Sequence, residues 1–499
     1  MRTLDLSERR PPSSVSNWDF LDRSEGPGGP RTLSLSLRAR RAHTPPVHRT
    51  GEETTSGVGG AARGAPGLLR ALRHRNYQLF FGGQLVSLIG TWMQSVAQSW
   101  LVYRLTGSSV LLGLIGFSMQ IPVFLLAPVG GAVADRQSRH RILLATQTAA
   151  MGLAFGLAAL TLSGLVRVPY IFALGALLGV VNAFDIPARQ SFVFEMVGRE
   201  DLPNAIALNS SMFNGARIVG PAVAGVLVGA IGEGWCFFAN GVSFLAAIAG
   251  LLAMRVPPRA PRPAPASALS EVAAGFRFVA HTRSIRALLL LLGAVSVTAM
   301  PYAVLMPIFA DRILHGGARG LGVLMGASGA GALLGAVALA MRRRLRGLGA
   351  WIAASSAAFG VALVLFSLSR TFWLSALLLV PVGAAMMVQM AGSNTLVQAM
   401  VPDALRGRVM AVYSMMFMGM APIGALLAGA LAERIGAPAT VAAGGVACLI
   451  GAAVFATKLP SLRPEARELI LAQQMAAGDP PAGVMSPAAP PARSAGRAG

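Results

Sequence analysis

Long apolar stretches make up most of this chain, and short polar connections separate them. A stretch of about 20 apolar residues is long enough to cross a bilayer as a helix, which rises roughly 1.5 Å per residue. Within each stretch the apolar residues run on without polar alternation, which excludes a barrel of membrane-spanning strands. The pattern predicts an all-α integral membrane protein with twelve transmembrane helices at residues 78–103, 109–134, 142–166, 169–190, 205–230, 235–255, 287–309, 319–341, 349–369, 371–396, 409–432 and 437–457.

Polar and Pro-rich segments divide the predicted helices into two sets of six, at residues 67–255 and 287–458. The linker between them, residues 256–286, begins with a Pro-rich stretch and continues with the pattern of a short amphipathic helix. Residues 1–66 and 459–499 have no periodic apolar face, which predicts a disordered N-terminal extension and a disordered C-terminal tail. A targeting role or a wrongly assigned start codon are further interpretations of the N-terminal segment.

The two sets of helices carry related sequences. Gly-Ala-Val-Ala at residues 131–134 returns at residues 335–338, an offset of 204 residues. The same offset relates the fifth predicted helix to the eleventh, where Met212, Phe213, Gly215, Gly220, Gly225, Ile231 and Gly232 match Met416, Phe417, Gly419, Gly424, Gly429, Ile435 and Gly436. One constant offset in two separate regions predicts duplication of a six-helix unit in the same orientation, as in transporters with a pathway between two parallel halves.

Composition agrees with a membrane protein, since 54% of the residues are hydrophobic and only 12% are charged. The net charge of +22 would suggest a nucleic-acid partner in a soluble protein. Here most Arg residues fall in the connections on one side of the predicted membrane, which is the bias of cytoplasmic loops. We therefore expect a multi-pass protein of the cytoplasmic membrane, with both termini in the cytoplasm, no nucleic-acid partner and a monomeric state.

Motifs of enzymes and pumps are missing from the sequence. It contains no Ser, His and Asp constellation, no His or Cys cluster with metal-ligand spacing and no phosphate-binding Gly loop that ends in Lys. The two cysteines, Cys236 and Cys448, fall inside apolar stretches, where we expect them to pack as small apolar groups. We accordingly predict neither an enzyme nor an ATP-driven pump, and no metal or cofactor.

Polar side chains form a stripe along the first predicted helix. Gln84, Ser87, Thr91, Gln94 and Gln98 follow spacings of three and four residues and so share one face. Such a stripe fits the lining of a substrate pathway. Hydrogen bonding between packed membrane helices explains it equally well.

Arg217 is predicted roughly 18 Å into its helix, near the bilayer midplane, where a charge is costly. Ser210 and Asn214 share its helical face, which should look into a cavity instead of toward lipid. We interpret this face as part of the substrate pathway and Arg217 as a substrate or coupling residue. A purely structural buried ion pair is the alternative.

A second charged face lies on the fourth predicted helix, where Asn182, Asp185 and Arg189 align. Burial of Asp185 and the nearby cation oppose each other in their effect on its protonation, so that a proton can bind and leave during a transport cycle. Asp185 and Arg189 are therefore candidates for coupling, and Asn182 for the pathway. A fixed ion pair at the helix end is the other interpretation.

The sequence GGAVADRQSRHR at residues 130–141 resembles the signature of the major facilitator superfamily between its second and third helices. Gly131, Asp135, Arg136 and Arg139 match that signature, whereas Ser138 replaces its second Gly. Longer stretches across residues 68–458 are similar to the enterobactin-exporter-like branch. The resemblance implies a secondary active exporter of a hydrophobic or amphipathic small molecule, drug-like or siderophore-type, that exchanges it for protons by alternating access. A non-transporting sensor or a lipid-scrambling protein on the same fold is the alternative.

The resemblance also assigns two conformational motifs. Asp135, Arg136 and Arg139 would form a gate that breaks when the halves rock, unless the arginines only orient the protein in the membrane. In the second half Leu339 replaces the Asp. In the fifth helix, GARIVGPAVAG resembles an antiporter signature; Gly220 and Pro221 match it, whereas Gly215 and Gly225 are displaced by one residue. Tight helix packing is the other explanation of these small residues.

Overall fold

The computed structural model describes residues 67–256, 268–342, 345 and 347–476. The extension predicted at residues 1–66 lies outside the described residues, as do residues 477–499 of the predicted tail. In the described ranges there is no strand, and twelve helices are at least 20 residues long. They are α1 Arg75–Thr106, α2 Ser109–Arg136, α3 Arg139–Leu162, α4 Val168–Gly198, α5 Glu200–Ile231, α6 Glu233–Leu252, α7 Arg283–Ile313, α8 Gly317–Met341, α9 Leu348–Leu368, α10 Phe372–Met400, α11 Asp403–Ile435 and α12 Ala437–Ala476.

Eleven of these helices, α2 to α12, are both long enough and apolar enough to cross a membrane. The exception is α1, which has 32 residues. Its polar stripe lowers its mean hydropathy, so its length supports a span but its composition alone does not. The predicted all-α class and eleven of the twelve spans are thus confirmed, and α1 completes the first set of six by its length and position.

The last helix is longer than the sequence predicts. Residues 459–476 continue α12 as helix, so the prediction that disorder begins at residue 459 is wrong for this segment. Glu465, in the overhang, accepts hydrogen bonds from the backbone N–H groups of Arg283 at 3.2 Å and Ser284 at 2.8 Å. A carboxylate is favoured there because the first N–H groups of a helix lack partners within the helix. The overhang therefore caps α7, the first helix of its own half.

The first half has a similar contact between its ends, since the amide of Asn76 in α1 donates to the carbonyl of Arg255, just after α6, at 3.0 Å. A 3-10 helix, Gly67–Arg73, precedes α1. Asp201, whose side chain is almost fully buried at the start of α5, forms an ion pair with Arg73 and a hydrogen bond with the ring of His74. These contacts join the beginning of the described chain to the turn between α4 and α5.

The linker contains the expected short helix, which we call the connecting helix, at Ala268–His281. It packs against the beginning of α11, where a Cβ placed on Gly275 would lie 2.6 Å from the carbonyl oxygen of Arg408. Glycine is needed at this position because the two backbones lie too close for a side chain.

Equivalent glycines of the two halves make equivalent contacts. A Cβ on Gly220 of α5 would lie 2.9 Å from the Ile89 oxygen and 3.0 Å from the Met93 nitrogen of α1. A Cβ on Gly424 of α11 would lie 2.6 Å from the Val297 oxygen of α7. Met93 and Val297, like the two glycines, are separated by the repeat offset of 204 residues. The packing therefore follows the duplication seen in the sequence.

Two other glycines of the repeat bring the halves together. A Cβ on Gly225 of α5 would lie 2.8 Å from the Cα of Gly322 in α8, and a Cβ on Gly429 of α11 would lie 3.0 Å from the Cα of Gly113 in α2. Small residues permit this approach of helix backbones. Both contacts lie where α2 and α8 begin, and we call this end of the bundle the closed end.

Polar contacts reinforce the closed end between the halves. The Tyr103 hydroxyl donates to the Asp311 carboxylate at 2.8 Å, and the Ser109 hydroxyl donates to Glu433 at 2.7 Å. Arg312 donates to the carbonyl of Gly107 at 3.3 Å. The closed end is thus held by backbone packing and by hydrogen bonds from both halves.

We predict that Gly225→Leu opens the closed end, because a side chain there forces α5 away from α8. The measurement is maleimide labelling of Ser109→Cys in purified protein whose Cys236 and Cys448 are replaced by Ala, with at least a threefold higher labelling rate expected. Gly215→Leu is the matched control, since a Cβ on Gly215 of the same helix meets no atom within 4 Å. Equal labelling in both variants would contradict the prediction.

Candidate transport site

A cavity of about 1010 Å³ lies between the two halves. It extends from Leu112 and Leu321, near the closed end, to Pro128 and Arg408 at the opposite end of the bundle, which we call the open end. Most of its lining is apolar, with Trp92, Phe124, Phe213, Met119, Met325, Met415 and Met418 among its larger side chains. Met side chains adapt to ligands of different shapes. The volume and lining suit an amphipathic small molecule.

The α11 wall of the cavity departs from regular α-helix. Residues Met415–Gly419 form a π-helical turn, and Met415 and Met418 of this turn line the cavity. Such turns are frequent at functional sites because they change the direction of side chains within a helix. The sequence pattern gave no indication of this turn.

Two of the predicted pathway residues, Gln98 and Asn182, line the cavity. Gln98 is 2% exposed, and neither atom of its side-chain amide has a hydrogen-bond partner among the residues that the structure describes. A buried amide without partners is costly. Gln98 is therefore the member of the α1 stripe that is best placed to bind a ligand.

Other members of the α1 stripe bond within the protein. Gln94 accepts a 2.7 Å hydrogen bond from the amide of Asn240 in α6, and Thr91 donates to the carbonyl of Ser87. Gln84 accepts from Arg189 at 3.4 Å. The stripe thus combines both interpretations, with a pathway position at Gln98 and interhelical hydrogen bonding at Gln94 and Gln84.

The polar face predicted on α5 does not line the cavity. Ser210 is exposed, and the Asn214 amide donates to the carbonyl of Ser210 at 2.8 Å. The α5 residue in the lining is Phe213, which packs edge to face against Trp92 with ring centroids 5.6 Å apart. The sequence could not distinguish these faces because the rotation of a helix depends on its neighbours.

Arg217 lies behind the aromatic wall formed by Trp92 and Phe213. Its guanidinium carbon is 5.8 Å from the centroid of the Trp92 ring, and it donates to the sulfur of Met386 at 3.9 Å. No carboxylate pairs with it in the part of the chain that the structure describes. The geometry therefore gives no support to the buried ion pair considered for Arg217.

Asp185 belongs to a polar cluster inside the first half. It is 2% exposed, forms an ion pair with Arg189, and accepts 2.9 Å hydrogen bonds from Thr146 and Gln147 of α3. Arg189 also reaches Gln84 of α1, so the cluster joins three helices. Thr146 and Gln147 were not predicted as partners of Asp185. Their position as two adjacent polar residues within the apolar run of α3 could have indicated a buried polar contact.

Within the described part of the chain, the hydrogen bonds and ion pairs of the gate residue Arg139 lie in its own half. Arg139 donates to Glu195 of α4 at 2.6 Å and lies 3.5 Å from Asp135, which is exposed, as is Arg136. Glu195 was not predicted.

The small residue that permits close packing beside the gate is Gly130. A Cβ on Gly130 would collide with the carbonyl of Ala183, whereas a Cβ on Gly131 meets no atom within 4 Å. Gly131, which matches the family signature, is therefore not the residue that packs closely against α4.

The antiporter-like residues of α5 have different packing environments. Gly220 packs on α1 and Gly225 on α8, whereas Gly215 has open space around it. Pro221 is buried, and a Cβ on Gly322 would lie 2.7 Å from its carbonyl oxygen. This stretch therefore forms part of the contact between the halves at the closed end.

We predict that Gln94→Leu lowers the free energy of unfolding by about 1 to 2 kcal/mol, because the buried amide of Asn240 loses its partner. Thermal unfolding in nanodiscs measures this effect. Gln98→Leu is the matched comparison on the same helix, and it should leave stability unchanged because its amide has no bond to lose. A larger loss in Gln98→Leu than in Gln94→Leu would show that the two roles are assigned wrongly.

Comparison with known proteins links this architecture to transporters. The sequence profile described as transmembrane secretion effector matches residues 67–478. The chain is 24% identical over 382 residues to the staphyloferrin A transporter of Staphylococcus aureus, with 75% of this chain and 94% of the relative covered. It is 27% identical over 397 residues to the enterobactin exporter EntS of Shigella boydii, covering 78% and 93%. It is also 27% identical over 386 residues to the multidrug efflux pump Tap of Mycolicibacterium fortuitum, covering 75% and 93%.

Solved structures support the fold. The nucleoside transporter NupG superposes with a TM-score of 0.61 at 16% identity, covering 78% of this chain and 99% of that one. A peptide transporter of the POT family gives 0.64 at 12% identity, covering 78% and 95%. The profile and these relatives describe transporters and not enzymes. Because the profile covers most of its length, the chain belongs to the transmembrane secretion effectors of the major facilitator superfamily.

Proposed function

We propose that this protein is a secondary active exporter that moves a hydrophobic or amphipathic small molecule out across the cytoplasmic membrane. The observation that carries the proposal is the cavity between the two duplicated halves. Glycine contacts and hydrogen bonds between the halves shut this cavity at the closed end. A substrate enters such a cavity from one side, and rocking of the halves then exposes it to the other.

The relatives narrow the kind of substrate. Two of them are named for the siderophores staphyloferrin A and enterobactin, and a third for multidrug efflux. The adaptable Met and aromatic lining supports a substrate of the same general kind, either a siderophore-type metabolite or a drug-like compound.

Proton exchange is the proposed energy source, with Asp185 as the proton-binding group. In the described state its carboxylate binds Arg189, Thr146 and Gln147. Binding of a proton weakens the ion pair and releases Arg189. Since the cluster joins α1, α3 and α4, this change alters the packing of the first half, which lines one side of the cavity.

The proposal also includes the orientation of the protein in the membrane and the residues of its gate. Arg-rich connections lie at the open end, so this end faces the cytoplasm and both termini are cytoplasmic. With the cavity open there, Arg139 is held by Glu195 of its own half. When the halves close over this end, Asp135, Arg136 and Arg139 form the gate against the second half. The functional unit is a monomer, because the cavity needs no second chain.

We predict that Asp185→Asn binds substrate normally but loses the dependence of transport on a pH gradient, because it cannot gain or lose a proton. The assay follows carboxyfluorescein and ethidium in proteoliposomes with and without an imposed gradient. Glu468→Gln is the control, since this acid is exposed on the overhang of α12. We expect gradient-driven flux to fall at least tenfold in Asp185→Asn and to stay unchanged in the control.

Gradient-driven flux retained by Asp185→Asn would refute the coupling role. Lack of dye movement by the unmodified protein, together with rapid movement of labelled lipids between leaflets, would instead favour the lipid-scrambling alternative. Binding of dye without movement of dye or lipid would favour a sensor.

A further inference from the structure

The lining of the cavity has an uneven balance of charge. Among the described residues that line it, Arg408 is the single one with an ionisable side chain, and none carries a carboxylate. The remaining polar lining consists of neutral amides and hydroxyls, including Gln98, Gln120 and Asn182. The wall therefore offers a bound cation no negative partner.

The two carboxylates that adjoin lining residues along the helices are already engaged. Asp185, next to Ile186, is buried against Arg189. Asp403, next to Ala404, pairs with Arg406. An ion pair contributes little net charge to the potential inside the cavity, because its two charges largely cancel beyond a few ångströms. These acids do not make the cavity attractive to cations.

Arg217 adds a positive charge that no carboxylate of the described chain balances. It lies against Trp92, which lines the cavity, and one helical turn beyond Phe213, which also lines it. Water is displaced at this depth by protein and lipid, so the charge is screened less than it would be at the surface. Its field therefore extends through the aromatic wall into the cavity.

On these grounds we propose that the cavity selects amphipathic anions over amphipathic cations, with Arg217 as the residue that determines specificity. The inference rests on the proposed exporter function and narrows its substrate class. The aromatic wall packs against the apolar part of the anion, and the unpartnered amide of Gln98 bonds its polar part. Arg217 favours the anion's charge from behind Trp92 without contacting it.

The test uses tetraphenylborate and tetraphenylphosphonium, which have nearly the same size and shape but opposite charge. Binding of each ion to the protein in nanodiscs is measured by equilibrium dialysis, and binding to empty nanodiscs is subtracted. We expect the anion to bind at least tenfold more tightly than the cation. In Arg217→Gln this preference should fall about tenfold.

Two further variants separate charge from packing. Arg217→Lys retains the positive charge and should keep the preference within about threefold of the unmodified protein. Arg463→Gln removes the same charge from an exposed position on the overhang of α12, which contributes no residue to the cavity lining, and should not change the preference. Equal or cation-favouring binding overturns the proposal, as does binding of neither ion or an unchanged preference in Arg217→Gln.

Flux measurements distinguish this inference from the exporter function itself. Gradient-driven transport of ethidium but not carboxyfluorescein would leave the exporter function standing and overturn the selection of anions. Tighter binding of the anion that depends on Arg217, without gradient-driven flux of either dye, would support the selection and count against export.

Discussion

Close contact between helix backbones at one end of the molecule is the constraint on which the described state depends. Gly225 meets Gly322 and Gly429 meets Gly113, and no larger side chain fits at these positions without moving a helix. This approach brings polar groups such as Tyr103 and Asp311 within hydrogen-bonding distance across the halves. The cavity between the halves begins beside these contacts, at Leu112 and Leu321.

Buried polar groups in this protein differ in whether neighbouring helices satisfy their hydrogen bonds. Asp185 and Gln94 lie in apolar surroundings, but each has partners on neighbouring helices. Gln98 lacks hydrogen-bond partners and Arg217 lacks a carboxylate partner among the described residues. Because unsatisfied polar groups in a membrane protein are costly, our proposal assigns the compensation of these two groups to a ligand in the cavity.

Much of the architecture could be predicted from the sequence because spanning helices and duplication leave long, regular patterns. The offset of 204 residues identified Gly225 and Gly429, which the structure places in equivalent contacts between the halves. Rotation and tilt could not be predicted, since both depend on the packing of neighbouring helices. For this reason the sequence could not show that Phe213 lines the cavity in place of the expected polar face.

The same limit applies to partners that are distant in sequence. Gln94 was predicted as part of a polar stripe, but its partner Asn240 lies on α6 and shares no motif with it. The family signature matches Gly131, whereas the residue that packs closely against α4 is its neighbour Gly130. A family signature places a motif on the chain, but only the fold decides which of two adjacent residues faces a neighbour.

The overhang of α12 has a consequence for how the two halves move. In the second half, Glu465 of α12 binds the first helix of that half, α7. In the first half, Asn76 of α1 binds the chain just after the last helix, α6. Each half thereby has a polar contact between its first and last helices. In the rocking motion that we propose, these contacts keep the ends of each half together while the surface between the halves changes. A chain ending at residue 458, where the apolar run stops, would lack this contact in the second half.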